Sequence, residues 1–179
     1  MAKALNRYTD TVLKRGQGTF IRSNRPLTEW ACTQLGFFLV GHYQGSGVRT
    51  QGNTTIKYEV ETRTQFLEVF LFNEPILKLI LSDWKIASIQ VMFTSYYDHF
   101  GQPTLTTCER LNGLLDRLGG YQAIPSGVRV FRDESQRLTY LGKGDDKIAV
   151  GEGLADVVFI RPNVDVLDIV GDMIIHEVA

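Results

Sequence analysis

Apolar and polar residues alternate most regularly between positions 55 and 96. In T-I-K-Y-E-V-E, residues 55–61, Ile56, Tyr58 and Val60 fall on one side and Lys57, Glu59 and Glu61 on the other. That period of two predicts a half-buried strand. F-L-E-V-F-L-F and I-L-K-L-I-L flank Asn73-Glu74-Pro75, which reads as a turn between antiparallel strands. A further strand places Ala87, Ile89, Val91 and Phe93 on one face. Successive strands with short connections imply an antiparallel meander, and helices or a second sheet must cover its apolar side.

The period changes at P-T-L-T-T-C-E-R-L-N-G-L-L-D-R-L-G-G, residues 103–120. Leu111, Leu114, Leu115 and Leu118 form an apolar stripe at helical spacing, and Gly119-Gly120 ends it. The predicted helix is 105–118, with Thr106 as its cap and Glu109 closing a capping box. Upstream, residues 2–14 predict a short basic amphipathic helix with Leu5, Tyr8 and Val12 on one face. A second N-terminal helix is expected over residues 23–36, with Pro26 in its first turn, Gly36 at its C-cap, and Trp30, Ala31 and Leu35 inward. F-F-L-V-G-H-Y, 37–43, reads as a strand and 44–53 as a flexible loop.

After I-P-S-G, residues 124–127, the β pattern returns. V-R-V-F-R and R-L-T-Y-L predict a hairpin around Asp133-Glu134-Ser135, followed by strands in K-I-A-V and A-D-V-V-F-I. The last segment, 164–178, carries both helical spacing of its aspartates and a Gly171-Asp172 pair suited to a hairpin, and the hairpin is favoured. The expected fold class is therefore α+β: an antiparallel meander covered by one firm helix and N-terminal helices, followed by C-terminal hairpins. It is organised as one domain over 1–179, or as two lobes, 1–118 and 121–179.

Composition narrows the function. The 179 residues are 44% hydrophobic and 22% charged, ordinary for a globular chain, with a net charge of −1. A duplex-binding protein draws much of its affinity from a basic excess, so net charge disfavours nucleic acid as a general partner. Two cysteines, Cys32 and Cys108, form no paired motif, and no disulfide scaffold or zinc site is expected. The first residues lack a signal-peptide core and no apolar run reaches the roughly 20 residues of a membrane span. The expectation is a soluble protein without a membrane partner, located in the cytoplasm.

Several short patterns bear on chemistry. G-S-G at 45–47 lacks the Lys-Ser/Thr pair of a phosphate loop. G-K-G-D-D-K, 142–147, reads as a solvated turn. Asp165, Asp168, Asp172 and Glu177 raise a two-metal nuclease, although a sequence-local acidic row is more often a solvated face. His42, His99 and His176 fit no zinc motif. No catalytic residue, metal site or cofactor is assigned. The most promising surface is S-Y-Y-D-H-F-G, 95–101, where Tyr96, Tyr97, His99 and Phe100 precede the helix start. Aromatics in such a position anchor protein interfaces or stack bases. Thr107 and Arg110 at the helix start, with Arg49, complete the candidate binding residues, and Arg117 joins them in a nucleic-acid reading.

The order strand, N-x-P-I turn, strand, aromatic segment and T-T-x-x-R-L-N resembles a widespread group of small proteins encoded by phages and other mobile elements. The matching residues are Asn73, Pro75 and Ile76, then Thr106, Thr107, Arg110, Leu111 and Asn112, within a stretch of about residues 55–118. The chain departs from the group at Cys108-Glu109, where a basic residue is more usual, which weighs against phosphate binding there. The resemblance implies a mobile-element origin and transfers no activity. The leading expectation is a non-enzymatic interaction protein that binds a host protein and inhibits a host machine or defence system. A nucleic-acid-binding module and a metal-dependent nuclease are the alternatives. A homo-oligomer is also expected, with strands near 67–81 pairing between chains at an edge.

Overall fold

The computed structural model describes residues 18–93, 97–162 and 175–178. Helix α1, Gly18–Leu39, is followed by five strands that hairpin back and forth: β1 Gly45–Gln51, β2 Thr54–Val60, β3 Thr64–Leu71, β4 Glu74–Ser82 and β5 Lys85–Met92. Helix α2, Leu105–Gly120, comes next. Strands β6 Arg129–Asp133, β7 Leu138–Lys143 and β8 Asp146–Val150 form a separate three-stranded antiparallel sheet. Strand β9, Val157–Ile160, then returns to the large sheet beside β5, and β10, Ile175–Val178, pairs with β9. The large sheet thus runs β1-β2-β3-β4-β5-β9-β10, with every pairing antiparallel. The expected α+β meander is present.

Alternation decides which face of the large sheet is covered. Leu67, Val69 and Leu71 of β3, Leu77, Leu79 and Leu81 of β4, and Ile89 and Val91 of β5 are buried. They share one core with Ala31, Leu35 and Phe38 of α1 and with Leu111, Leu114, Leu115 and Leu118 of α2. That core continues through Val130, Leu141 and Val150 of the small sheet. The two helices meet closely at Gly113, where an added Cβ would overlap the Thr28 methyl and lie 3.2 Å from Cys32 Sγ. The small sheet is tied to α2 by Asn112, whose amide accepts from Val130 N at 2.7 Å and donates to Val130 O at 2.9 Å. A side-chain amide there plays the part of a neighbouring strand's peptide.

The structure corrects several local expectations. Residues 37–39 belong to α1 rather than to a strand. Ala31, Leu35 and Phe38 are buried at helical spacing, whereas Phe37 is exposed, so the apolar run is a helix end seen from two sides. Gly36 is not a C-cap: it lies inside the helix, where its lack of a side chain admits Tyr121 Oη and Arg117 Nη1 at 3.0 and 3.1 Å from a would-be Cβ. Residues 45–51 form the edge strand β1 rather than a loop. Almost all its residues are exposed, so no alternation marked it. The cap of α2 is Thr104, whose hydroxyl accepts from Thr107 N at 3.4 Å. Thr106 and Glu109 instead both accept from the Asn24 amide, at 3.4 and 2.9 Å. The β3–β4 turn falls at Phe72-Asn73, both with positive φ, and Pro75 already lies in β4 opposite Phe70 beside a register shift. Strands β3 and β4 are interior, so residues 67–81 offer no edge for another chain. The helix expected over 2–14 and the Gly171-Asp172 turn lie outside the described residues.

Candidate interaction surface

The chain leaves β5, and from Tyr97 to Thr104 it forms a loop fastened at almost every step. Tyr97 and Pro103 make an isolated antiparallel bridge, and Asp98 N donates to Gln102 O at 2.7 Å. The Asp98 carboxylate folds back on the loop: Oδ1 accepts from Phe100 N at 2.9 Å and from Gln102 N at 3.0 Å. Short acidic side chains close such turns because they reach backbone amides two residues on. Gly101 turns with φ of 79°. Its carbonyl accepts from Glu152 N at 2.8 Å.

The small sheet supplies the outer fastenings. Arg132 Nη2 lies 3.4 Å from Asp98 Oδ2 and also donates to Pro103 O, leaving its Nε buried without a hydrogen-bond partner. Thr139 Oγ1 donates to Gln102 Oε1 at 2.8 Å in a buried position. Burial acts to raise the Asp98 pKa, but the hydrogen bonds from Gln102 and Phe100 and the nearby Arg132 outweigh it and hold the carboxyl below its ordinary range. Burial likewise raises the Tyr97 phenol, with help from Asp156 and Glu152. The Cys108 thiol beneath the loop is pushed up to about 11 by burial, against the opposing influence of Arg132, so it is a protonated core group.

This framework presents His99 and Phe100 to solvent, with Phe100 50% exposed. Their rings lie 4.1 Å apart between centroids. Arg137, in the β6–β7 turn with φ of 54°, places its guanidinium carbon 4.3 Å from the Phe100 centroid. The same hairpin carries Phe131 and Tyr140 opposite one another, stacked at 5.7 Å. Lys147 of β8 lies 4.3 Å from the Tyr140 centroid and 5.8 Å from that of Phe131. Tyr140 Oη donates to Gln136, the residue before Arg137, at 2.9 Å. Cations over aromatic faces hold each other in place while keeping one side in water.

The other expected site residues lie elsewhere. Tyr96 is outside the described residues. Thr107 is 3% exposed and engaged with the Thr104 cap. Arg110 is 0% exposed. Its Nε donates to Thr28 at 2.8 Å, Nη1 to Asn53 at 3.3 Å and to Thr54, and Nη2 to Asn24 at 3.1 Å. Desolvation lowers its pKa, with Cys32 and Glu109 opposing. The guanidinium is therefore a core fastener joining α1, α2 and the β1–β2 turn, with no face left for a phosphate. Arg49 sits on the edge strand, its guanidinium 4.9 Å from the Tyr43 ring, which stacks on Tyr58 at 4.4 Å. Three strands separate β1 from β5, which sets Arg49 about 19 Å from the strand that feeds the loop. Arg117 lines a groove of 420 Å³ between the helices, beside Arg25, Glu29 and Asp116. The grouping Arg49, Arg110 and Arg117 is thus not brought together.

Among the described residues there is no group of three or more His, Cys, Asp or Glu placed to hold a metal, and Asp165, Asp168 and Asp172 lie outside them. No described helix is long and apolar enough to cross a membrane. Arg132, Arg137, Phe131, Tyr140 and Lys147 were absent from the sequence-based candidates. The signal for Phe131 and Tyr140 was present, since alternation in the hairpin opposes them to Val130 and Leu141; the contact with residues 97–104 was not. Comparison of the chain with protein-family models, with curated proteins and with solved structures finds no match.

Proposed function

We propose that the protein works by binding: it is a non-enzymatic interaction protein of a phage or other mobile element, and it engages and inhibits a host protein through Phe100, His99 and Arg137, with Tyr140, Phe131 and Lys147 on the same small sheet. The observation that carries this reading is the exposure of Phe100 on a loop whose backbone is held by Asp98, Arg132, Gln102 and Thr139. An exposed aromatic beside an arginine has the chemistry of an interface anchor. Holding it in advance lowers the ordering cost of association. The mobile-element origin rests on the resemblance of residues 55–118. Affinity capture from nuclease-treated host lysate tests the reading: one host protein should be retained stoichiometrically by the wild type and lost with Phe100→Ala plus Arg137→Ala.

A second reading follows from a different observation. Phe131 and Tyr140 stack on the face of a three-stranded sheet under Lys147, an arrangement that suits bases of a single strand. Binding of an oligonucleotide that weakens steeply with salt and is lost with Tyr140→Ala would support it.

A further inference from the structure

The second face of the large sheet has its own pattern. Phe66, Glu68 and Phe70 of β3 and Lys78 and Ile80 of β4 are all half-exposed, pointing away from the buried face that carries Leu67, Val69, Leu77 and Leu79. Lys57 reaches over Phe70 at 4.9 Å and Lys78 over Phe66 at 5.3 Å. Lysine stems shield these rings but leave them partly wet.

The register makes this face complementary to itself. Across β3 and β4, Phe66 opposes Ile80, Glu68 opposes Lys78 and Phe70 opposes Pro75. A two-fold axis running between β3 and β4, parallel to them and just above the sheet, exchanges the members of each pair. Glu68 of one copy then faces Lys78 of the other, Phe66 faces Ile80, and Phe70 faces Pro75, each contact occurring twice. An axis at right angles, along the Glu68–Lys78 row, would set Glu68 against Glu68 and Lys78 against Lys78. An axis between β2 and β3 would keep one opposed charge pair, Lys57 against Glu68, but would set Glu59 against Phe66 and Thr55 against Phe70, leaving both rings facing polar groups. Of these axes, the one between β3 and β4 matches apolar side chains as well as charges. Sheets packed face to face keep their strands within about 30° of parallel, which this axis satisfies.

We infer that the protein forms a two-fold dimer with a second copy of itself through this sheet face, centred on Phe66, Glu68, Lys78 and Ile80. The inference is independent of the surface around Phe100. The axis sets β3 over β4, β2 over β5 and β1 over β9, and these six strands, about 4.8 Å apart at about 3.4 Å per residue with β9 the shortest, give a flat footprint of roughly 600 Å² per copy. Side-chain relief brings that toward the roughly 800 Å² per partner of a stable interface. An isologous pair uses the same patch on both subunits, as this face does.

Sedimentation velocity across a concentration series is the test, with thermal melting of every variant in parallel. The wild type should shift from one to two chain masses as concentration rises. Glu68→Lys and Lys78→Glu should each weaken the dimer at least tenfold, because each sets like charges against each other twice. The combined variant Glu68→Lys with Lys78→Glu restores both opposed pairs and should recover the dimer, which a general loss of folding would not do. A wild type that stays at one chain mass at millimolar concentration overturns the inference. So does a dimer whose affinity is the same in the wild type and in both folded single variants.

Discussion

Arg137 and Phe100 come from opposite sides of α2 in sequence and meet with the guanidinium carbon 4.3 Å from the ring centre. Neither side chain belongs to the buried core. Their contact is therefore expected to matter for recognition more than for folding. Phe100→Ala and Arg137→Ala should each change stability by no more than about 0.5 kcal/mol, the usual range for surface positions. Thermal melts read this directly. A loss of several degrees would show that the loop is part of the core and would remove it as a binding surface.

Arg110 is the opposite case. Its donors reach Asn24, Thr28, Asn53 and Thr54, which belong to α1 and the β1–β2 hairpin. Arg110→Ala opens a cavity and strands those polar groups in the interior, with an expected cost of about 3–5 kcal/mol. Arg110→Lys should recover little, because one ammonium cannot span the acceptors on both α1 and the β1–β2 hairpin. Urea unfolding of the two variants checks this. A midpoint near wild type for Arg110→Lys would mean that charge alone, rather than the forked geometry, organises the site.

Asn112 joins α2 to β6 by its pair of hydrogen bonds with Val130. Asn112→Ala leaves a backbone N–H and C=O without that partner and should destabilise the protein by about 1–3 kcal/mol. Hydrogen exchange at the Val130 amide should quicken more than at Leu79 in the large sheet, because the small sheet loosens first. Equal acceleration at both positions would contradict a local docking role.

How much of this was legible in the sequence depended on burial on one face only. Residues 54–60 and 64–71 show clean alternation because helices cover one side of them, and their strands were readable. Strand β1 is exposed on both sides, so Gly45–Gln51 carried no periodic signal. The run Phe37-Phe38-Leu39 looked like a strand because local hydrophobicity does not distinguish a helix end from a buried strand. Arg110 looked available because it opens a helix, yet it lies four residues before Leu114 on the buried stripe. Only the positions of Asn24, Thr28 and Asn53, distant in sequence, explain a buried guanidinium. The meeting of residues 97–104 with Arg132, Arg137 and Thr139 is likewise a product of chain return, for which a single sequence holds no local cue.

Asp98 makes the loop sensitive to acid. In the fold its carboxyl is held below the ordinary range, and in the unfolded chain it takes a value of about 3.9. A depressed carboxylate contributes stability that is complete above the unfolded value and is lost as pH falls through the folded one. The stability difference between wild type and Asp98→Asn should therefore be constant near pH 6 and shrink below pH 4. Paired denaturation curves at pH 6 and pH 3 measure it. A difference that does not shrink would mean that the hydrogen bonds from Phe100 and Gln102 do not require the ionised form.

We propose that the pre-arranged pair of Phe100 and Arg137 recognises a host protein. The most direct test is quantitative capture from nuclease-treated host lysate by wild type and by Phe100→Ala plus Arg137→Ala, with both proteins first shown to melt alike. One host protein should be retained in stoichiometric amount by the wild type and reduced at least tenfold by the double variant. Retention of no host protein by the wild type, or equal retention by both proteins, would contradict it.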